Sequence, residues 1–435
     1  MKTRRDFLRS TLLGASASWT VPMFVDRTFA QLHNASKDLA VQGVTGKDGP
    51  ILVVVQLAGG NDGLNTLVPF GDDAYHKARP RLAKGEKDII KLTDYCGLNS
   101  AMPWLGSQFK EGDLAVLQGV GYPNPNRSHF VSTSIWETAD PTNHSNTGWL
   151  GRYFDNACPG ADPTVGISFN KTQPESFGAI NNPGICLSSP ELYQWIHSGG
   201  EKVMAEEFFD DLNRPDGEND APAEGGSIAM PAGGKTGGVR GESNLAFLER
   251  VALDARVSSA KILEIAAKHK SKAEYDGSPL SRSLNLVGRM IAGGLPTRVF
   301  YVSHGGFDTH NNQEGTHERL LQQLDDSLKS FMADLKEQGN ADRVVVMTFS
   351  EFGRRVNENA SGGTDHGQGS CLFVLGQPVK GGLIGKHPSL TDLSQGDLKF
   401  TTDFRSIYAT VLEDWLKTPS KPILKGSFEK LGFMG

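Results

Sequence analysis

Asp308, His310, Glu351, Asp365 and His366 carry the strongest chemical signal in the sequence. Carboxylates and neutral imidazoles gathered at one place are hard-to-borderline donors, better suited to zinc, manganese or iron than to calcium. In an extended segment residues two apart point the same way, so Asp308 and His310 of "GFDTH" can face one ion together. A bound divalent ion polarises an ester for displacement. The expectation is a metal-dependent hydrolase site with one or two ions per chain.

Two apolar runs must position this set. Val299–Val302 leads into "HGGFDTH", and Val344–Met347 leads into "SEFGRR" and "GTDHG". Short apolar runs of this kind read as buried strands. Between them Leu320, Leu321, Leu324, Leu328, Phe331, Met332 and Leu335 recur at helical spacing, so one helix face lies on the sheet. An earlier run, "ILVVVQLAGG", suits a central parallel strand and ends in Gly59-Gly60-Asn61-Asp62-Gly63. Asp62 there is either a ligand or part of a turn. "LAVLQGVG" precedes "YPNPNRSHF", which sets Ser128 near the start of a helix holding Ser132–Thr138. Ser128 is either the helix cap or a nucleophile assisted by the helix amides. Arg127 beside it either holds a phosphate or sulfate oxygen or is a solvated charge. His304 reads as a second layer around the site or as an exposed residue; His129 and His317 take no role.

Strands alternating with helices predict an α/β fold, doubly wound, with a mostly parallel sheet and helices on both faces. In open sheets of that class, ligands collect beyond the carboxyl ends of the strands. One domain is expected over 51–435, with a Gly/Pro-rich insertion around 214–242 and a polar linker over 31–50. The amino terminus reads as a twin-arginine export signal: Arg4-Arg5 before Phe7-Leu8, a mildly apolar stretch to Val25, and a cleavage point near Ala30. That address implies the twin-arginine export machinery as a partner, a periplasmic or secreted product, and no stable membrane span after cleavage. Without residues 1–30 the chain has 39 basic against 48 acidic side chains, a net charge of −9. Such a balance argues against nucleic acid as a partner. Cys96, Cys158, Cys186 and Cys371 show no CxxC spacing, so a zinc-thiolate site is not expected.

The motifs "LAGGNDGLNTLVP", "NRSHF", "GWLGRY", "GFDTH", "SEFGRR", "GTDHG" and "DFRSIYATVLEDWL" occur in this order from Ile51 to the carboxyl terminus. In them the chain resembles the exported bacterial family labelled domain of unknown function 1501. That family in turn is similar to the superfamily of alkaline phosphatases, sulfatases and cofactor-independent phosphoglycerate mutases. The resemblance implies an alkaline phosphatase-like fold and a two-metal site, with Asp62 and Ser128 at one metal, Asp308 and His310 at the other, and Arg127, Arg354 or Arg355 against the anionic oxygens. For the later motifs it allows two alignments. Either Asp365-His366 is the superfamily's Asp-His pair, or Glu351 replaces that aspartate, Phe352 takes the histidine's place and His366 completes the site. Position along the strands favours the second. The implied function is hydrolysis of a small-molecule or polymer-borne phosphate or sulfate ester. The alternative is a non-catalytic, metal-stabilised binding or assembly protein of the cell envelope.

Overall fold

The run Ile51–Ala58 (β1) forms the middle of the molecule because six of its eight side chains enter an apolar cluster on one face or the other. Ile51, Val53, Val55 and Leu57 enter one buried cluster, and Leu52 and Val54 enter the other. A strand covered on both faces forgoes alternation with polar residues, and each such aliphatic side chain contributes about 1.5–3 kcal/mol on burial. The computed structural model describes residues 49–159, 161, 163–170, 172–187, 265 and 268–435. The export signal, nearly all of the linker and the insertion around 214–242 lie outside the described residues.

Eight further strands join β1: Leu114–Gly121 (β2), Gly166–Phe169 (β3), Ile185–Cys186 (β4), Val299–Gly305 (β5), Val344–Phe349 (β6), Ser370–Leu375 (β7), Gly382–Ile384 (β8) and Thr402–Asp403 (β9). Their spatial order is β8-β2-β7-β6-β1-β5-β3-β4, with β9 beside β2. All pairings are parallel except those of β7, which runs antiparallel to both β6 and β2. The fold is therefore α/β with a mixed, mostly parallel sheet. Its main helices are Pro103–Glu111 (α1), His129–Thr138 (α2), Trp149–Ala157 (α3), Pro279–Ala292 (α4), Gln313–Gln338 (α5) and Phe404–Thr410 (α6). Apolar side chains of α1, α4 and α5 cover one face, and those of α2, α3 and α6 cover the other. Among the described residues no helix is long and apolar enough to cross a membrane.

Register sets the crevice. Ala58 pairs with Gly305 and Gln56 with Phe349, so the loops after β1, β5 and β6 emerge side by side. The loop after β2 joins them, and so does the loop entering the antiparallel β7. One expectation needs correction. β5 runs on to Gly305, because it keeps pairing with β1, and this buries His304 with its Nε2 2.9 Å from the Leu320 carbonyl; it is not exposed. Beyond Thr410 the α6 backbone continues as a π turn over Val411–Trp415, where the Trp415 indole donates to the Ile51 carbonyl. All four cysteines are free, and Cys96, Cys158 and Cys371 are buried.

Glu137, near the end of α2, ties that helix to β5 and to the turn at Glu175. Its carboxyl group accepts from the Tyr301 hydroxyl (2.8 Å) and the Glu175 amide (2.6 Å). Burial raises its pKa from 4.5 to about 7, more than these hydrogen bonds lower it. The folded state then holds a proton that the unfolded state releases, so this group's contribution to stability falls as pH rises from about 4.5 to 7. A Glu137→Gln variant should keep the Tyr301 and Glu175 contacts and lose that slope. We expect it to exceed the wild type in stability at pH 8 by on the order of 2–3 kcal/mol and to converge with it near pH 5. Thermal or urea unfolding at the two pH values reads this, and parallel pH profiles for the two proteins would refute the assignment.

Candidate metal centre

The loop after β1 is shaped by two glycines. Gly59 has φ +120°, and a Cβ there would lie 2.5 Å from the Asp308 amide nitrogen; Gly60 has φ +76°, and its Cβ would lie 2.2 Å from the Phe352 ring. Left-handed backbone and this close approach exclude other residues. The loops after β1, β5 and β6 can therefore pack directly on one another.

Arg354 ties them together. Its guanidinium, 1% exposed, donates to the carbonyls of Gly60 (2.6 Å), Thr364 (2.8 Å), Phe307 (2.9 Å) and Gly59, and to Asp308 Oδ1 (2.8 Å). Expected at the sequence level to face an anionic substrate, Arg354 is instead spent inside the fold. Burial alone would raise the pKa of Asp308, but the hydrogen bond and the charge of Arg354 hold it down at about 2. The carboxylate that the loops present is permanently ionised.

Three imidazoles converge on it. His310 Nε2 and His366 Nε2 each lie 3.1 Å from Asp308 Oδ1, and they lie 2.9 Å from each other. His129 Nε2 is 3.5 Å from Asp308 Oδ2. Each ring's other nitrogen meets an oxygen acceptor: His366 Nδ1 the Arg127 carbonyl (2.9 Å), His129 Nδ1 the Glu351 carboxylate (2.8 Å), and His310 Nδ1 the Asp365 carboxylate (3.2 Å). An acceptor at Nδ1 places the proton there and leaves the lone pair of the neutral ring on Nε2. Three lone pairs and an anionic oxygen therefore point at one region, an arrangement that repels itself unless a cation lies among them. Ligands about 2.0–2.1 Å from a zinc ion are about 3.0–3.4 Å from one another; the two imidazole–Asp308 separations of 3.1 Å match this, and the 2.9 Å between His310 and His366 falls just below it. Among the described residues, His129, Asp308 and His366 form the one group of His, Cys, Asp or Glu donors close enough to share an ion, and His310 adjoins it. The donors fit a divalent metal.

Glu351 and Asp365 serve this set through the rings they hold. Glu351, 2% exposed, accepts from the Gly59 amide (2.8 Å) as well as His129. Its hydrogen bond raises the pKa of His129. Asp365 also accepts from Asn359 (3.2 Å), and that bond, more than His310, lowers its pKa. Phe352 packs its ring against His129 and His366, with centroids 4.9 and 4.6 Å apart, and so fixes their planes. A carboxylate that orients a ligating imidazole also raises its basicity.

The remaining candidates lie differently. Asp62 is fully buried and gives both oxygens to Arg79 (2.6 and 3.0 Å), so its carboxylate is turned to a guanidinium rather than to the imidazoles. Arg79 pulls its pKa down against the opposing effect of burial. Ser128 starts α2, exposed, and its hydroxyl makes no capping bond. The Arg127 side chain is held by Asp397 (Nε to Oδ2 2.8 Å) at the rim, while its carbonyl orients His366. His317 is buried against Asn61 Oδ1 (2.9 Å), with its pKa lowered by burial to about 4, so it stays neutral. Sequence reasoning missed His129, although "NRSHF" contains it; it missed Arg79 because nothing local marks an arginine as a counter-ion.

From this geometry, Glu351→Gln and Asp365→Asn should each weaken zinc binding by about 10–100-fold without abolishing it, whereas His366→Ala should remove it. Isothermal titration of the purified chain with zinc separates these outcomes. Unchanged affinity in both carboxylate variants would contradict the orienting role.

No curated protein matches the sequence. Among solved structures, the chain is similar to alkaline phosphatase from the Antarctic bacterium TAB5, with 10% identity, 76% of this chain and 92% of that chain covered, and a TM-score of 0.33. It is similar to the PsFucS1 sulfatase from Pseudoalteromonas sp., with 12% identity, coverage of 92% and 77%, and a TM-score of 0.33. A third likeness is to the lipoteichoic acid synthase LtaP from Listeria monocytogenes, with 11% identity, coverage of 78% and 71%, and a TM-score of 0.28. At these identities and scores none of the three bears on what this chain does. Residues 249–421, a stretch that contains Asp308, His310, Glu351, Asp365 and His366, match the family described as "Protein of unknown function (DUF1501)".

Proposed function

We propose that the chain is an exported, metal-dependent hydrolase of phosphate or sulfate esters. The observation that carries this reading is the convergence of the Nε2 atoms of His129, His310 and His366 on the ionised Asp308 carboxylate. These four residues would hold a zinc, manganese or iron ion, and bound there the ion would supply a concentrated positive charge toward an ester oxygen. The side chains around it have complementary work. Glu351, Asp365 and the Arg127 carbonyl keep the imidazoles in the ligating tautomer. Ser128 leaves its hydroxyl uncommitted at the first turn of a ten-residue helix, where amide N–H groups favour an adjacent anion, and it is the candidate nucleophile. Arg127, one residue earlier and partly exposed, is the candidate partner for an ester's anionic oxygens.

The Asp308 side chain is 48% exposed, so the centre opens at the surface and suits an ester group carried on a polymer as well as a free small molecule. The Arg4-Arg5 motif supports export, which would put this chemistry outside the cytoplasm. Hydrolysis of p-nitrophenyl phosphate and p-nitrophenyl sulfate by the zinc- or manganese-loaded chain tests the proposal. Turnover should vanish with a chelator and in His366→Ala, and should fall by at least about 100-fold in Ser128→Ala. Metal binding without turnover of any ester would instead favour the binding or assembly protein.

A further inference from the structure

Arg79 and Asp62 form a closed unit at the end of β1. The guanidinium has five N–H groups, and each has an acceptor. Nε donates to the Val356 carbonyl (2.9 Å), Nη1 to Asp62 Oδ2 (2.6 Å) and Asn65 Oδ1 (2.8 Å), and Nη2 to Asp62 Oδ1 (3.0 Å) and the Arg355 carbonyl (2.9 Å). Neither residue is exposed at all. Gln313 adds a third donor to the Asp62 carboxylate and is itself held by the hydroxyls of Thr364 (2.6 Å) and Thr309 (3.1 Å).

A carboxylate in bidentate contact with a buried guanidinium has its charge compensated and its oxygens in use. To ligate an ion it would have to release Arg79, leaving a second buried cation without a counter-charge. Among the described residues no other group of donors converges apart from the His129, Asp308, His310 and His366 set.

We infer that the chain takes one divalent ion rather than two, and that the guanidinium of Arg79 is the permanent positive charge beside Asp62. The inference rests on the metal reading above. It makes Asp62 and Arg79 positioning residues: they join the loop after β1 to the Arg355-Val356 segment beyond β6, and metal content is indifferent to them.

The test is zinc and manganese content, by plasma emission spectrometry, of the purified full chain after saturation and dialysis, with a calorimetric titration for affinity. The same measurements are made on an Asp62→Asn/Arg79→Gln variant, which removes both buried charges. One equivalent in the wild type, and one in the variant with affinity within about threefold, is the expected result; the thermal midpoint is free to fall. Two equivalents in the wild type, or a tenfold or greater loss of affinity in the variant, overturns the inference and leaves the metal reading standing. No bound ion in the wild type overturns both. Should the variant not fold, the wild-type stoichiometry still decides.

Discussion

The buried guanidinium of Arg354 is the contact on which the rest of the site depends. Placing a full positive charge in the protein interior is costly unless it is surrounded by acceptors. Here the acceptors are four main-chain carbonyls, from Gly59 and Gly60 after β1, Phe307 after β5 and Thr364 before β7, together with the Asp308 carboxylate. Each carbonyl belongs to a segment with no strand partner of its own at that point. One side chain therefore supplies donors to the Gly59, Gly60 and Thr364 carbonyls, shares the Phe307 carbonyl with the Thr309 amide, and in doing so fixes three loops relative to one another. The glycines at 59 and 60 are the steric condition for this arrangement, because only a bare backbone lets Asp308 and Phe352 come so close.

The electrostatic consequence is a division of labour between cations that cannot leave and a place for one that can. Arg354 and Arg79 never lose their charge, and each holds one carboxylate ionised. Asp62 is fully compensated by its partner. Asp308 is not: one oxygen faces Arg354, and the carboxylate as a whole still faces three imidazole lone pairs. The excess of unshared electron density sits at the open end of the crevice, which is where a hydrated ion and an ester can both arrive. The sheet supplies the rigidity for this, since β1, β5 and β6 are buried on both faces and cannot shift by a fraction of a residue without breaking their register.

Much of the fold was legible because strong periodicity has few solutions. The apolar runs at 51–58, 299–302 and 344–347 and the leucine stripe of α5 admit little besides a covered parallel sheet with helices packed on it. The site was legible in its residue types and not in their roles. Asp308, His310 and His366 occupy the centre, as their spacing from the strands implies. Glu351 and Asp365 stand one step back, because which oxygen meets a metal and which meets an Nδ1 proton depends on loop geometry that spacing does not record. Asp62 and Arg79 are 17 residues apart, and Arg354 reaches backbone groups almost 300 residues away; pairings of that kind are settled by the tertiary fold. His129 escaped notice because a serine of more obvious chemistry stands beside it.

Anomalous diffraction at the zinc edge, from crystals of the full chain grown with zinc, tests the central claim most directly. The account predicts a single strong peak about 2.0–2.2 Å from the Nε2 atoms of His310 and His366 and from an oxygen of Asp308, with the His129 ring turned to the same ion. A peak between Asp62 and Ser128, or no peak among these imidazoles, would contradict it.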